Sequence, residues 1–195
     1  MTKKIIVVGR QFGSNGRVIG KALAQELGIG FYDRDIIDMA AQHSDIAKEH
    51  LAEVDEKPAS KWLYAFSGEP NAITPINDIL FRIESDIITD LAQKEDCIIV
   101  GRCADYVLRK TDTCRSIFIH APFDVRKQTV MQRLGISEKE AAARIRKVDK
   151  ERRYYYSYYT DRHWGEMNNY HLSLDSSVLG IDGTVNILKM MFESI

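Results

Sequence analysis

Ile5-Ile6-Val7-Val8-Gly9-Arg10-Gln11-Phe12-Gly13-Ser14-Asn15-Gly16-Arg17-Val18-Ile19 joins a β-branched run, a glycine-rich turn and the start of an amphipathic segment. Ile5 to Val8 is the pattern of a strand buried on both faces of a parallel sheet. Arg17 to Leu27 places Val18, Ile19, Ala22, Leu23, Ala24 and Leu27 near helical spacing, with Gly28 as the C-cap. Strand, glycines and helix in that order make a phosphate site physically sensible. Glycines let the backbone curl so that successive amides point inward, and the helix start adds partial positive charge. Gly13, Ser14, Asn15, Gly16, Arg17 and Val18 are the residues expected to hold phosphate. The competing reading is a tight strand-to-helix turn that only needs glycine.

A standard phosphate loop reads GxxxxGK[ST], with lysine on the outer phosphates and the hydroxyl on magnesium. Here Arg17 stands at the lysine position, followed by Val18 and Ile19. Arginine keeps the charge and grips phosphate bidentately. No hydroxyl follows it, so a magnesium ion would fall to Ser14 or to water.

Working outward, Ile29 to Tyr32, Cys97 to Val100, Ser116 to His120 and Tyr170 to Leu174 read as four further strands. Residues 36 to 56, Ile76 to Lys94, Phe123 to Leu134 and Ile181 to Phe192 read as helices. Ser137-Glu138-Lys139-Glu140 is a capping box opening another, to about Arg153. That helix is rich in both charges, and is expected to project from the body. Residues 57 to 75, with Pro58, Gly68, Pro70 and Pro75, read as irregular. Strands alternating with helices predict a five-stranded parallel sheet with helices on both faces.

Length fits one domain, residues 1–195, and a formal net charge of -1 gives no global field for nucleic acid or an anionic membrane. The cluster Tyr154 to Tyr159 invites a stacking role with nucleic acid, but the acidic residues interleaved among the nearby bases argue for packing at a helix root. Cys97, Cys103 and Cys114 lack disulfide or zinc spacing, and the five histidines lack metal spacing. No apolar run is long enough for a signal core or a membrane span, which places the expected location in the cytoplasm. The 76–94 helix suits either the core or a homodimer interface.

Three later segments resemble the cytidylate kinase-like family. Ile98-Ile99-Val100-Gly101-Arg102 is similar to its strand and Gly-Arg-Asp turn, with Cys103 in place of the aspartate and Asp105 displaced nearby. It is followed by the strand Ile117 to His120 and a helix carrying Arg126. Arg144 to Arg153 resembles the family's lid, whose Asp-x-x-Arg core is matched by Asp149 and Arg152. Leu174 to Ile181 resembles its strand ending in Asp-Thr-Thr. Arg10 to Arg17 matches the phosphate loop Arg-x-Phe-Gly-Ser-x-Gly-Arg of a divergent branch. The family's Asp-Thr-Gly-x-x-Tyr-Arg substrate segment is replaced by Asp33-Arg34-Asp35-Ile36-Ile37.

The resemblance implies a P-loop nucleotide-kinase fold, a substrate-binding insert at about 36–75 and a helical lid at about 137–160. It implies ATP and Mg2+ as cofactors and transfer to a nucleoside monophosphate, CMP among them, or a similar phosphorylated acceptor. Arg17, Arg144, Asp149, Arg152 and Arg153 are then the expected catalytic residues, Asp33, Arg34 and Arg102 the acceptor-binding ones, and Ser14 the metal ligand. The alternatives are a catalytically silent nucleotide binder, a solvated face of weak ion pairs for the helix arginines, and an Asp33–Arg34 pair.

Overall fold

The computed structural model describes residues 2–42, 64–66 and 73–195. In chain order its first elements are β1 (Ile5–Arg10), α1 (Gly16–Leu27), β2 (Gly30–Tyr32), α2 (Asp35–Gln42), β3 (Tyr64–Phe66), β4 (Ile73–Pro75) and α3 (Ile76–Lys94). Then come β5 (Cys97–Val100), α4 (Ala104–Val107), β6 (Cys114–His120), α5 (Phe123–Leu134), α6 (Glu138–Thr160), β7 (Leu172–Asp175) and α7 (Ser176–Glu193). Most of the expected 36–75 insert lies outside the described residues.

The main sheet has the order β2-β5-β1-β6-β7. All of its pairings are parallel, with Val7 opposite Ile99 on one side and Ser116 on the other. This is the five-stranded parallel sheet that the β-branched runs predict. A separate antiparallel pair, β3 with β4, falls where the proline-rich stretch reads as irregular. Side chains alternate along each strand, so one strand feeds two cores. Ile5, Val7, Cys97 and Ile99 pack with Ile36, Leu80, Ile88 and Leu91 of α2 and α3. Ile6, Val8, Ile98 and Val100 pack with Ile19 and Leu23 of α1 and Val185 and Leu188 of α7. The apolar stripe of α3 therefore belongs to the core.

Helix ends follow local chemistry. Gly28 closes α1 in the left-handed conformation, its amide donating to the Ala24 carbonyl. At α6 both halves of the capping box form: Ser137 N donates to Glu140 Oε2 at 2.9 Å, and Glu140 N to Ser137 Oγ at 3.4 Å. That helix runs on past Arg153 through the tyrosines to Thr160 and does not project freely. Its Ala141 and Ile145 pack on Val130 of α5. Nor do the tyrosine hydroxyls all reach water. Tyr155, Tyr156 and Tyr159 donate to Glu84, Asp105 and Asp78. Gly180, with φ 67°, breaks α7 near its start, so the regular closing helix begins about where the sequence places it. Among the described residues no helix is long and apolar enough to cross a membrane.

Cys97 and Cys114 flank β1, and burial pushes both thiols up to about 12. The unfolded chain loses these protons from about pH 8.5, while the folded chain keeps them. Stability is therefore full below that pH and falls above it, by roughly 1 kcal/mol per pH unit for each thiol. Urea unfolding from pH 7 to 10.5 measures this. Cys97→Ala/Cys114→Ala should remove that part of the slope, and equal slopes would contradict it.

Candidate functional site

The site lies beyond the carboxyl ends of the strands, where open α/β sheets bind ligands. β1 is central, so the turn after it meets the turns after β5 and β6. The turn is held from behind. Gln11 N donates to the Ile119 carbonyl at 3.0 Å, and Gln11 Oε1 accepts the Ala121 amide at 3.2 Å. Gly13 has φ 86°, and a Cβ there would stand 2.8 Å from the Arg126 carbonyl oxygen. At Gly16 it would stand 2.6 Å from Arg10 Cβ. Both glycines are required by close approach, and Gly13 also by its backbone angle. Asn15 sits at φ 60°, and its own side chain does not cap the start of α1.

A buried carboxylate fixes the loop's height. Asp149 Oδ1 accepts the Phe12 amide at 2.8 Å, and its Oδ2 accepts Arg126 Nη1 at 2.7 Å. The same Arg126 nitrogen donates to the Phe12 carbonyl at 3.0 Å, and Arg126 Nε to the Ala121 carbonyl at 3.0 Å. Residue 12 is thus held at both its amide and its carbonyl by one ion pair.

In front of the loop opens a cavity of about 460 Å³. Among the described residues, Arg10, Arg17, Arg34, Arg102, Arg133, Arg144 and Arg152 line it together with Gly13, Asn15 and Gly16, against a single lining carboxylate, Asp33. Arg17 Nε meets Asp33 Oδ2 at 2.5 Å, and Arg10 Nη2 lies 3.5 Å from its Oδ1. Burial first, and then Arg152, Arg17 and Arg144, hold the Arg133 pKa below its ordinary value. Those three arginines therefore bear on Arg133. The guanidiniums of Arg133 and Arg152 lie 5.4 and 5.9 Å from the Phe12 ring. Such a site attracts anions bearing several charges.

Of the residues expected from the sequence, Gly13, Asn15, Gly16, Arg17, Asp33, Arg34, Arg102, Arg144 and Arg152 share this cavity. Four others stand elsewhere. Ser14 is 1% exposed, and its hydroxyl donates toward the Gln11 and Ile119 carbonyls at 2.9 and 3.0 Å, behind the loop. Val18 points outward from α1, 41% exposed. Asp149 supports the loop, as described. Arg153 lines a separate groove with Phe123 and Arg146 on the other flank of α6. The period of 3.6 residues explains this, since Arg152 and Arg153 are neighbours in sequence and about 100° apart around the helix.

The anticipated ion pairs also resolve differently. Asp33 takes Arg10 and Arg17 as partners, while Glu138 pairs with Lys127 and Glu140 caps Ser137. Asp105 is buried and accepts the Tyr156 hydroxyl at 2.7 Å, with burial raising its pKa. It supports α6 and is absent from the cavity lining. Arg10 and Arg133 also line the cavity, though the sequence reading does not single them out. Arg10 lay inside the glycine loop, next to positions with a motif role, whereas nothing local marks Arg133.

The sequence pattern of the cytidylate kinase-like family matches residues 5–178, nearly the whole chain. The chain belongs to that family. Among curated proteins nothing matches it. A crystallised uncharacterized protein from Eubacterium ventriosum is 25% identical, with a TM-score of 0.77 over 99% of this chain and 100% of that one. Shikimate kinase from Bacteroides thetaiotaomicron is 15% identical, with a TM-score of 0.57 over 97% and 98% of the two chains. A gluconokinase from Sinorhizobium meliloti is 16% identical, with a TM-score of 0.55 over 99% and 95%. At those identities the two kinases establish the fold alone, that of the P-loop kinases.

Removing the loop's clamp gives a direct test. Asp149→Ala leaves the Arg126 guanidinium buried without its carboxylate. It should lower unfolding stability by about 3–5 kcal/mol, read from urea titration. A loss under 1 kcal/mol would mean that the pair does not carry the loop.

Proposed function

We propose that this protein transfers the terminal phosphoryl group of ATP to a small phosphorylated acceptor, a nucleoside monophosphate with CMP among the candidates. The observation that carries the reading is the charge of the cavity, which among the described residues sets seven arginines against one carboxylate beside a glycine loop at a helix start. Two polyanions brought together in one space repel, and a reaction between them needs that much fixed positive charge. A neutral alcohol acceptor would leave much of it uncompensated. Phosphoryl transfer asks the protein mainly to align donor and acceptor and to neutralise spreading oxygen charge.

In this reading the loop amides and Arg17 hold the donor phosphates, while Arg34 and Arg102 take the acceptor phosphate. Asp33, released as Arg17 turns to phosphate, orients the acceptor. Arg144 and Arg152 reach the transferring group from α6, which acts as the lid over about 137–160 and excludes water. Arg10 and Arg133 add to the same field. A protein-held magnesium ion does not fit this set of donors. The Ser14 hydroxyl is turned away, and Val18 stands at the usual hydroxyl position. Among the described residues no group of three His, Cys, Asp or Glu is placed to bind a metal. No step is therefore assigned to the ion.

A second reading, a nucleotide binder without turnover, draws support from the Arg17–Asp33 pair, which occupies the residue at the lysine position. A coupled assay with magnesium-ATP across nucleoside monophosphates separates the two. The enzyme reading requires turnover with at least one acceptor. The silent reading requires thermal stabilisation by ATP without turnover. Within the enzyme reading, Arg17→Ala should lower kcat/KM by about 100-fold or more. Arg17→Lys should lower it about tenfold, because a point charge replaces a bidentate fork. A gain with lysine would mark decay from an ordinary loop and count against the proposal.

A further inference from the structure

We infer that Glu84 and Tyr155 are positioning residues for the acceptor phosphate, acting through Arg102. The inference rests on the reading above, in which Arg102 meets the acceptor. Arg102 lines the large cavity yet is only 3% exposed, and Glu84 on α3 is 1% exposed. Arg102 Nη1 donates to Glu84 Oε1 at 2.5 Å, and the Tyr155 hydroxyl on α6 donates to Glu84 Oε2 at 3.2 Å. Each carboxylate oxygen thus has its own donor from a different element. Neither Glu84 nor Tyr155 lines the large cavity, so both reach the acceptor only through the guanidinium.

The arrangement is a poor way to gain stability. Burying a carboxylate and a guanidinium costs desolvation that their attraction seldom more than repays, and an apolar trio of the same volume would hold the elements together as well. It does supply direction. Arg102 starts from a left-handed backbone at φ 60°, between Gly101 at 82° and Cys103 at 51°. A long side chain leaving such a turn has many staggered conformations. A carboxylate bound on both oxygens keeps one guanidinium nitrogen in place, and so fixes how the group faces the cavity. Burial and the adjacent Glu84 charge raise the Tyr155 pKa well above its ordinary value, which keeps the phenol a donor.

The anchor is itself anchored. Phe81 of α3 stacks on Tyr159 at 4.0 Å, and the Tyr159 hydroxyl donates to Asp78 at 2.9 Å. Tyr159 supplies an internal control, because it makes the same kind of bond between the same two helices without touching Arg102.

The test is steady-state kinetics with the monophosphate that wild type uses best, on wild type, Glu84→Gln, Tyr155→Phe and Tyr159→Phe. Acceptor KM should rise about tenfold in Glu84→Gln and about threefold in Tyr155→Phe. ATP KM, and kcat at saturating acceptor, should stay within twofold. Tyr159→Phe should lower the melting temperature as much as Tyr155→Phe while leaving acceptor KM within twofold. If Glu84→Gln fails to fold, the two tyrosine variants decide, since each keeps its ring. Equal effects of both tyrosines on acceptor KM, or no effect of Tyr155→Phe, overturn the inference alone. A wild type that turns over no monophosphate overturns the function and this inference together.

Discussion

Like charges gathered around one cavity repel, and the fold must restrain every arginine there by something other than its neighbours. For the glycine loop and α6 the restraint centres on Asp149. Its carboxylate joins α6 to Arg126 of α5 and to the amide of Phe12, so two helices and the glycine loop share one buried ion pair. Phe12 then sits with Arg133 and Arg152 nearby, and the Arg152 Nη1 group donates to the Arg10 carbonyl at 3.2 Å. The repulsion that remains is what a polyanionic ligand would relieve.

Much of this architecture was legible because it depends on local pattern. Four-residue β-branched runs, glycine at helix ends and a serine-to-glutamate capping box each specify their own geometry. The strands, α3 and α5 fall close to where those signals place them. The β3–β4 pair was not legible, since three-residue strands among prolines leave no periodicity to count. The end of α6 at Thr160 lies beyond the point that the charge pattern indicates, for another reason. Consecutive tyrosines carry little helical signal alone, and their helix is secured by carboxylates that α3 and α4 supply from far away in sequence.

The site divides along the same line. That the loop glycines, Arg17, Asp33, Arg34 and Arg102 line one cavity is foreseeable, because glycine and charge at a strand's carboxyl end are readable signals. Which face of α6 meets the cavity could not be settled by counting arginines. It depends on which side chains bury, and the burial of Ala141, Ile145 and Asp149 turns Arg144 and Arg152 one way and Arg146 and Arg153 the other. Ser14 shows the limit of motif logic: its place in the loop makes it a candidate ligand, and in the structure its hydroxyl donates to the Gln11 and Ile119 carbonyls.

The Arg17–Asp33 pair has a bearing on selectivity. An anion that takes Arg17 must displace a carboxylate already seated at 2.5 Å, so that position has a threshold. Chloride brings one diffuse charge and no fork of oxygens, and gains little from the exchange. A triphosphate offers several oxygens at once to neighbouring guanidiniums and backbone amides. The internal carboxylate thus acts as a resident competitor, giving up some affinity for every anion while widening the gap between simple salt ions and nucleotides.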